Sequence, residues 1–304
     1  MHILVIAGGN SDEREVSLRS GAAVQLALQT AGYQATMFDP SQALLDASLA
    51  TRYQLAFPII HGQGGEDGAL QRQLEAIHMP YVGTGVAASE LCFDKGRYRE
   101  LLRTHNLPVA EGAIVSWPEF QHHPLAGQPF VLKPFDGGSS IDTFIIRDPS
   151  QAPQPEIAAA FTRHPKMLLE QLIDGIEITV GVLGEQALPV IEIVPPPDGE
   201  FDYENKYNGA TQELCPPQHV DEVVQTQAQE LATQIHQLCE CRHLSRTDMI
   251  VTPNNQLVVL ETNTLPGMTD QSLFPRAANV AGIDMPSLCS RLVTMAANHQ
   301  TDAA

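Results

Sequence analysis

Positive charge is scarce in this sequence. Its 304 residues carry 17 Lys and Arg against 36 Asp and Glu, a formal net charge of -19. So acidic a chain repels nucleic acid and anionic membranes unless a local basic patch intervenes, and no run of Lys or Arg supplies one. Neither is expected as a partner. Long hydrophobic runs are missing too: none approaches the roughly 18 apolar residues that span a bilayer. The opening MHILVIAGGNSDERE lacks the basic flank and long apolar core of a signal peptide, so a cytoplasmic protein is expected. Cysteine is sparse and odd in number, with Cys92, Cys215, Cys239, Cys241 and Cys289 giving no second pair at zinc-site spacing. Reduced structural thiols are expected. Cys239-Glu240-Cys241 is a metal-binding alternative of lesser weight.

With 43% hydrophobic residues, the chain can bury the cores of two or three packed units. HILVIAGG predicts a buried strand running into a glycine turn, and SDEREVSLRSGAAVQLALQTAGY predicts a helix whose apolar spacing falls on Val16, Ala23, Leu26 and Leu28. Strand, turn, helix is how a doubly wound α/β unit begins, and its ligands bind beyond the carboxyl ends of the strands. Ser11, Glu13, Arg14 and Glu15 lie at that edge, although acids there also suit the helix dipole. FPII predicts another buried strand, which delivers His61 and a glycine-rich loop with Glu66 and Asp67 to the same edge.

Small residues from Thr84 to Ser89 predict a linker, followed by a basic amphipathic helix beginning near Lys95. QPFVLKPFDGGSSIDTFIIRD predicts a strand, Lys133-Pro134, a glycine-serine loop and a returning strand. Backbone N-H groups in such a loop wrap phosphate oxygens, with Ser139 and Ser140 adding hydroxyl donors, although the Walker order is absent. A plain hairpin tip fits equally. MLLEQLIDGIEITVGVLG predicts two strands around Asp174-Gly175, and DGEFDYENKYNGATQELCPP a loop too long to be mere connection.

Arg246 to Ser272 concentrates the chemistry. TDMIV and QLVVLET predict two strands joined by Pro253-Asn254-Asn255. Alternation puts Arg246 with Asp248 on one face of the first strand, and Glu261 with Asn263 on one face of the second. Two carboxylates and an amide oxygen suit Mg²⁺, and the arginine could neutralise phosphoryl oxygens. On spacing alone, a polar edge hairpin with a salt bridge is the alternative.

Taken together, Gly8-Gly9 through SDEREVSLRSG, HGQGGEDGALQ, FDKGR, LKPFDGGSS, YENKY, RTD and ETNTLPGMTDQSL resemble, in order and across nearly the whole chain, the D-alanine:D-alanine ligases of the ATP-grasp superfamily. The resemblance implies an α/β protein: an N-terminal Rossmann-like unit (1–87) followed by a two-lobed ATP-grasp fold with a central unit (88–172) and a C-terminal unit (173–304). It implies ATP-dependent ligation of two D-alanine molecules for peptidoglycan precursors, with two Mg²⁺ ions that Mn²⁺ could replace, and a homodimer. Lys95 and Lys133 match phosphate-binding positions, and Lys206 falls beside Arg246. Glu170, Gln171, Leu172 and Ile173 match the adenine strand, and Glu177 the ribose acid. Asp248, Glu261 and Asn263 match the metal ligands, and Arg246 the arginine on the transferring phosphoryl group. Glu13 matches the acid holding the first ammonium, with Ser139 and Tyr207 tied to it, and His61 lies near that substrate. Gly267, Ser272 and Leu273 match the second-substrate side. Gly137 and Asp142 depart from the family's E-G-S-S-x-G loop, and Gln171 stands where lysine is common. A dipeptide or depsipeptide ligase of other specificity and a non-catalytic nucleotide-binding relative are the rival readings.

Overall fold

The computed structural model describes residues 1–137, 142–196 and 211–302. Ser139, Ser140, Tyr203, Lys206 and Tyr207 therefore lie outside the described residues. Along the chain run β1 (His2–Ile6), α1 (Arg14–Thr30), β2 (Gln34–Phe38), α2 (Ala47–Arg52), β3 (Leu55–Pro58), α3 (Ala69–Ala76), α4 (Val86–Phe93) and α5 (Lys95–Thr104). Next come β4 (Gly112–Val115), α6 (Trp117–Phe120), β5 (Phe130–Pro134), β6 (Phe144–Ile146), α7 (Gln154–Arg163) and β7 (Met167–Gln171). The remainder is β8 (Ile176–Leu183), β9 (Gln186–Ala187), β10 (Ile191–Val194), β11 (Gln212–Leu214), α8 (Glu222–Leu238), β12 (Leu244–Val251), β13 (Leu257–Asn263), α9 (Leu273–Val280) and α10 (Met285–Asp302).

β2, β1 and β3 form a parallel sheet in that order. Its central strand is buried on both faces: Ile3, Val5 and Ala7 enter one core, Leu4 and Ile6 another. A parallel sheet covered on both sides reads as a continuous apolar run, which is why HILVI was legible as a strand. The first of those cores also takes in Leu183, Phe274, Leu288 and Leu292, so the N-terminal sheet and the C-terminal helices share apolar packing.

α1 lies where the sequence places it but turns a different face inward. Ser17, Ser20, Gly21, Val24, Ala27 and Leu28 are buried, whereas Leu26 is 66% exposed. Close approach decides this. A Cβ on Gly21 would come within 2.5 Å of the Ala7 Cβ, so only the small-residue face fits against β1. The expected linker also needs correcting: Val86–Phe93 is helical, with Ala88 and Ser89 buried.

The other two sheets are antiparallel, in the orders β4-β7-β5-β6 and β11-β10-β8-β12-β13, with β9 on the edge of β8. β7 and β8 flank Asp174-Gly175 but join different sheets. Part of the expected long loop is ordered as β11, which pairs with β10. On one face of the larger sheet, Ile178, Val180, Val182, Met249, Val251 and Val259 pack with α8 and with Tyr98 and Leu102 of α5. Burying each such aliphatic side chain contributes about 1.5–3 kcal/mol. The opposite face stays open over its centre, and the polar residues gather there. No helix among the described residues is long and apolar enough to cross a membrane.

Candidate active site

Four residues of the β12–β13 hairpin line up in two adjacent cross-strand pairs, Arg246 opposite Asn263 and Asp248 opposite Glu261. Paired residues point to the same face, so all four converge. Simple alternation would not produce this arrangement, because it would put Glu261 on the core face with Val259. A bulge solves the conflict: Met249 pairs with Val259, Asp248 pairs with Glu261, and Leu260 is the extra residue. Extra residues of this kind re-aim the side chains that follow. Val259 thus stays in the core while Glu261 reaches the open face.

The core side of the hairpin fixes its position. Thr247 and Thr262 share a hydrogen bond of 2.9 Å, and Thr262 shares another of 2.7 Å with Tyr98. All three are buried, and satisfied buried hydroxyls hold one arrangement. α5 is thereby locked to β13 between Glu261 and Asn263. The Lys95 ammonium, at the start of the same helix, lies 3.3 Å from the Glu261 carboxylate and donates to the Gly137 carbonyl at 2.6 Å. Asp94 caps the helix by accepting from Gly96 and Arg97.

Each cation in the centre is held by an acid. Arg246 makes a two-pronged contact with Asp248, Nε at 2.9 Å and Nη2 at 2.8 Å. That contact outweighs the cost of burial and raises the Arg246 pKa, so the group stays cationic. The Thr179 hydroxyl, across from Asp248 on β8, donates to the same carboxylate. Lys133 lies 2.7 Å from Glu170, whose other oxygen takes Arg99. Burial lowers the Lys133 pKa, but Glu170 and Glu261 more than compensate and the net shift is upward.

The N-terminal sheet contributes a second set. Glu13 occupies the N-cap position of α1, and its carboxylate oxygen lies 2.7 Å from where a Gly62 Cβ would be. Gly62 has φ +69° and donates its N-H to Glu66 at 2.6 Å. Burial and the charge of Glu13 push the Glu66 carboxyl up to about 8. His61 is buried, bonded through Nδ1 to the Leu265 carbonyl at 3.1 Å, and burial lowers it to about 4. It is neutral at pH 7 and ties the Gly62–Gly68 loop to the segment after β13. In that segment Ser272 N-caps α9 and accepts from the Thr269 N-H at 3.1 Å, while a Cβ on Gly267 would strike its hydroxyl.

A cavity of about 1050 Å³ joins the two sets. Glu13, His61, Lys95, Arg246, Glu261, Asn263, Gly267, Ser272 and Leu273 all line it. Lys133, Glu170, Gln171, Leu172, Ile173, Glu177 and Asp248 are not among its lining residues. Asp248 touches it through Arg246, and Lys133 is linked to it by the charge of Glu261 on its wall. Glu170 spends its carboxylate on Arg99 and Lys133, while the backbone N-H groups of Gln171 and Leu172 bond the Glu111 and Pro129 carbonyls at 2.8 and 3.1 Å. Asp142, whose sequence position puts a charge beside the loop, turns away from the site: Arg163 and His164 bind it at 2.5 and 2.9 Å. Its φ of +53° is one that aspartate tolerates.

Two contributors escaped sequence reasoning. Thr179 gives no signal in sequence, because only the β8–β12 register brings it to Asp248. Glu66 was visible in its loop but had no partner until Gly62 and Glu13 were placed around it.

The hairpin's donor set fits a hard cation: two carboxylates and the Asn263 amide, all oxygen. Among the described residues no cluster of three or more His, Cys, Asp or Glu could hold a metal, so the amide would have to be the third ligand. Arg246 and Lys95 now occupy the two carboxylates, which shows that the site attracts positive charge.

Three comparisons bear on this geometry. Residues 101–294 match the family model described as D-ala D-ala ligase C-terminus. A D-alanine--D-alanine ligase of Xanthobacter autotrophicus is 40% identical over 96% of this chain and 97% of its own length, and one of Syntrophobacter fumaroxidans is 42% identical over 97% of each. Crystal structures of the Bacillus anthracis D-alanine--D-alanine ligase, one of them complexed with ATP, superpose with TM-scores of 0.88 and 0.84 at 28% and 26% identity, each covering 100% of both chains.

Proposed function

Since the chain belongs to the D-alanine--D-alanine ligase family, we propose that it joins two D-alanine molecules at the expense of ATP, releasing ADP and phosphate and supplying a dipeptide for peptidoglycan precursors. The carrying observation is the cross-strand pairing of Asp248 with Glu261 beside Arg246 and Asn263, on a face shared with Lys95. The working units are 1–87 for the first substrate, and 88–172 with 173–304 for the nucleotide.

A carboxylate is a poor electrophile. The carboxylate of the first D-alanine therefore attacks the γ-phosphorus, the bond to ADP breaks, and an acyl phosphate forms. Glu13 holds the ammonium of that D-alanine, with Ser139 and Tyr207 assigned by resemblance to the same corner. Negative charge crowds the transfer, and Arg246, Lys95, Lys133 and Lys206 offset it. Arg246 is held flat by Asp248, so its donors need no reorganisation when the phosphoryl group moves. The amine of the second D-alanine then attacks the acyl carbon and phosphate leaves. Its carboxylate is received by the Ser272 hydroxyl and the backbone of Leu273 and Gly267 at the start of α9, where the helix terminus favours an anion. Asp248, Glu261 and Asn263 would hold Mg²⁺, two ions by resemblance with Mn²⁺ able to replace them. Bound there, magnesium would neutralise phosphoryl charge. Glu170 to Ile173 and Glu177 are assigned to the adenine and ribose; since the Gln171 and Leu172 N-H groups are spent, the base must use carbonyls or the Ile173 N-H. A cytoplasmic homodimer completes the proposal.

The test is phosphate release from ATP and Mg²⁺ with a panel of D- and L-amino acids and D-hydroxy acids, with product mass determined. D-alanine should give phosphate and a dipeptide in equal amounts. No phosphate release with D-alanine would sink the proposal, and a better partner in the second position would redirect it to another specificity.

A further inference from the structure

The glycine turn after β1 is closed by a side chain from the neighbouring strand. Asp39, one residue past β2, accepts from the Gly9 N-H at 3.1 Å and from the Ser41 N-H and hydroxyl at 2.9 and 2.8 Å. Its carboxylate fills the space where a Gly8 Cβ would be, 2.6 Å from the Asp39 Cγ. Arg14, the first residue of α1, completes the ring. It donates to Asp39 at 2.5 Å, to the Gly9 carbonyl at 2.7 Å and to the Ser41 hydroxyl at 3.0 Å. Burial alone would raise the Asp39 pKa, but the bonds from Arg14, Ser41 and Gly9 more than offset it, and the carboxylate stays ionised. In α/β units of this kind the turn after the first strand and the start of the next helix commonly receive a ligand's phosphate. Here a carboxylate of the protein itself takes the Gly9 amide, so the turn is set before any ligand arrives.

We propose that Arg14 and Asp39 are positioning residues for the first substrate: by gripping both sides of Gly9 they fix the start of α1, and with it the Glu13 carboxylate that meets the substrate's ammonium group. This deepens the ligase reading and rests on it. Neither residue lines the cavity, so both act through Glu13, which does. Glu13 lies between two anchors. On one side Arg14 ties the helix to the end of β2; on the other the Ser11 hydroxyl donates to the His61 carbonyl at 2.8 Å, in the loop after β3. That loop continues into Gly62, beside whose missing Cβ the Glu13 carboxylate sits. Loosening the first anchor moves the acid relative to the phosphoryl-transfer centre on β12 and β13, while the groups assigned to ATP, in 88–172 and 173–304, stay where they are.

Steady-state kinetics test the proposal, with D-alanine varied widely enough to separate the KM values of its two sites and ATP varied at saturating D-alanine. Arg14→Ala should raise the first-site KM about tenfold and leave the KM for ATP within about twofold, as expected for a displaced substrate-holding group. Guanidinium ion at millimolar concentration should recover much of that loss, because the Arg14 side chain is 31% exposed and its place is open to solvent; the same ion does nothing for a variant that is merely less stable. Arg14→Lys keeps the charge but cannot reach all three acceptors, and should fall between. Asp39→Asn keeps the shape, removes the charge, and should shift the same KM in the same direction. An unchanged first-site KM in Arg14→Ala, a rise matched by the KM for ATP, or a loss that guanidinium does not touch overturns the proposal. If Arg14→Ala folds poorly, Asp39→Asn decides by the same comparison of KM values. Failure of the wild type to turn over D-alanine at all is a different result, and it removes the ligase reading itself.

Discussion

Replacing Arg99 by alanine should destabilise the central sheet and disturb nucleotide binding together. The Arg99 and Glu170 side chains are 6% and 5% exposed, so their ion pair is desolvated on both sides. Removing one member of such a pair costs about 3–5 kcal/mol. Here Lys133 still lies 2.7 Å from Glu170 and softens the loss, which places the pair near the lower end of that range. Arg99 also donates to the Ala110 carbonyl at 2.6 Å, and a buried acceptor left without a donor adds about 1 kcal/mol. The sum is about 4 kcal/mol. Among the described residues Lys133 would then be Glu170's sole ion-pair partner, held more tightly and less available to ATP. Urea denaturation followed by far-UV circular dichroism reads the first effect, and the KM for ATP, expected to rise, reads the second. Arg99→Lys keeps the charge but cannot reach both acceptors, so it should lose about 1 kcal/mol. An Arg99→Ala variant less than about 1 kcal/mol weaker than the parent would refute the reasoning, because it would mean the pair behaves like an exposed salt bridge.

Other perturbations reach other parts of the account. Glu261→Gln should lower turnover by about a thousandfold or more, the loss of several kcal/mol of transition-state stabilisation, with an unchanged circular dichroism spectrum; retained turnover would remove Glu261 from the centre. Gly62→Ala puts a Cβ 2.7 Å from the Glu13 carboxylate at φ +69°. It should cost about 1 kcal/mol or more of stability and raise the KM for the first D-alanine well beyond that for ATP. His61, His236 and His243 are each lowered by burial to about 4. Their neutral forms stabilise the fold above the unfolded value near 6.5, and that contribution is lost as pH falls toward 4. Unfolding should therefore take up about three histidine protons across that window, and His236→Gln should reduce the uptake by about one; an unchanged uptake would show that His236 is not buried neutral.

Much of this molecule was legible in its sequence because local chemistry and tertiary demand agree. The HILVI run, the Pro253-Asn254-Asn255 turn and the ordered motifs placed the strands, the hairpin and the family. What was hidden depends on neighbours far along the chain. α1 buries Ser17, Ser20 and Gly21 rather than Leu26 because Ala7 leaves no room for larger side chains. The bulge at Leu260 is set by the partner strand, and without it the two-residue period assigns Glu261 to the wrong face. Glu66 and Thr179 are ordinary residues until the register of β8 and the turn at Gly62 give them partners. Asp142 looked like a misplaced charge beside the glycine-serine loop, and Arg163 with His164 accounts for it.

The central claim is that the carboxylate of the first D-alanine takes the phosphoryl group before the peptide bond forms. D-alanine labelled with ¹⁸O in both carboxylate oxygens, incubated with enzyme, ATP and Mg²⁺ in unlabelled water, tests it directly by mass spectrometry of the released phosphate. The account predicts one ¹⁸O atom in each phosphate, because the bridging oxygen leaves with phosphorus when the amine attacks the acyl carbon. Dipeptide formed alongside unlabelled phosphate would contradict it.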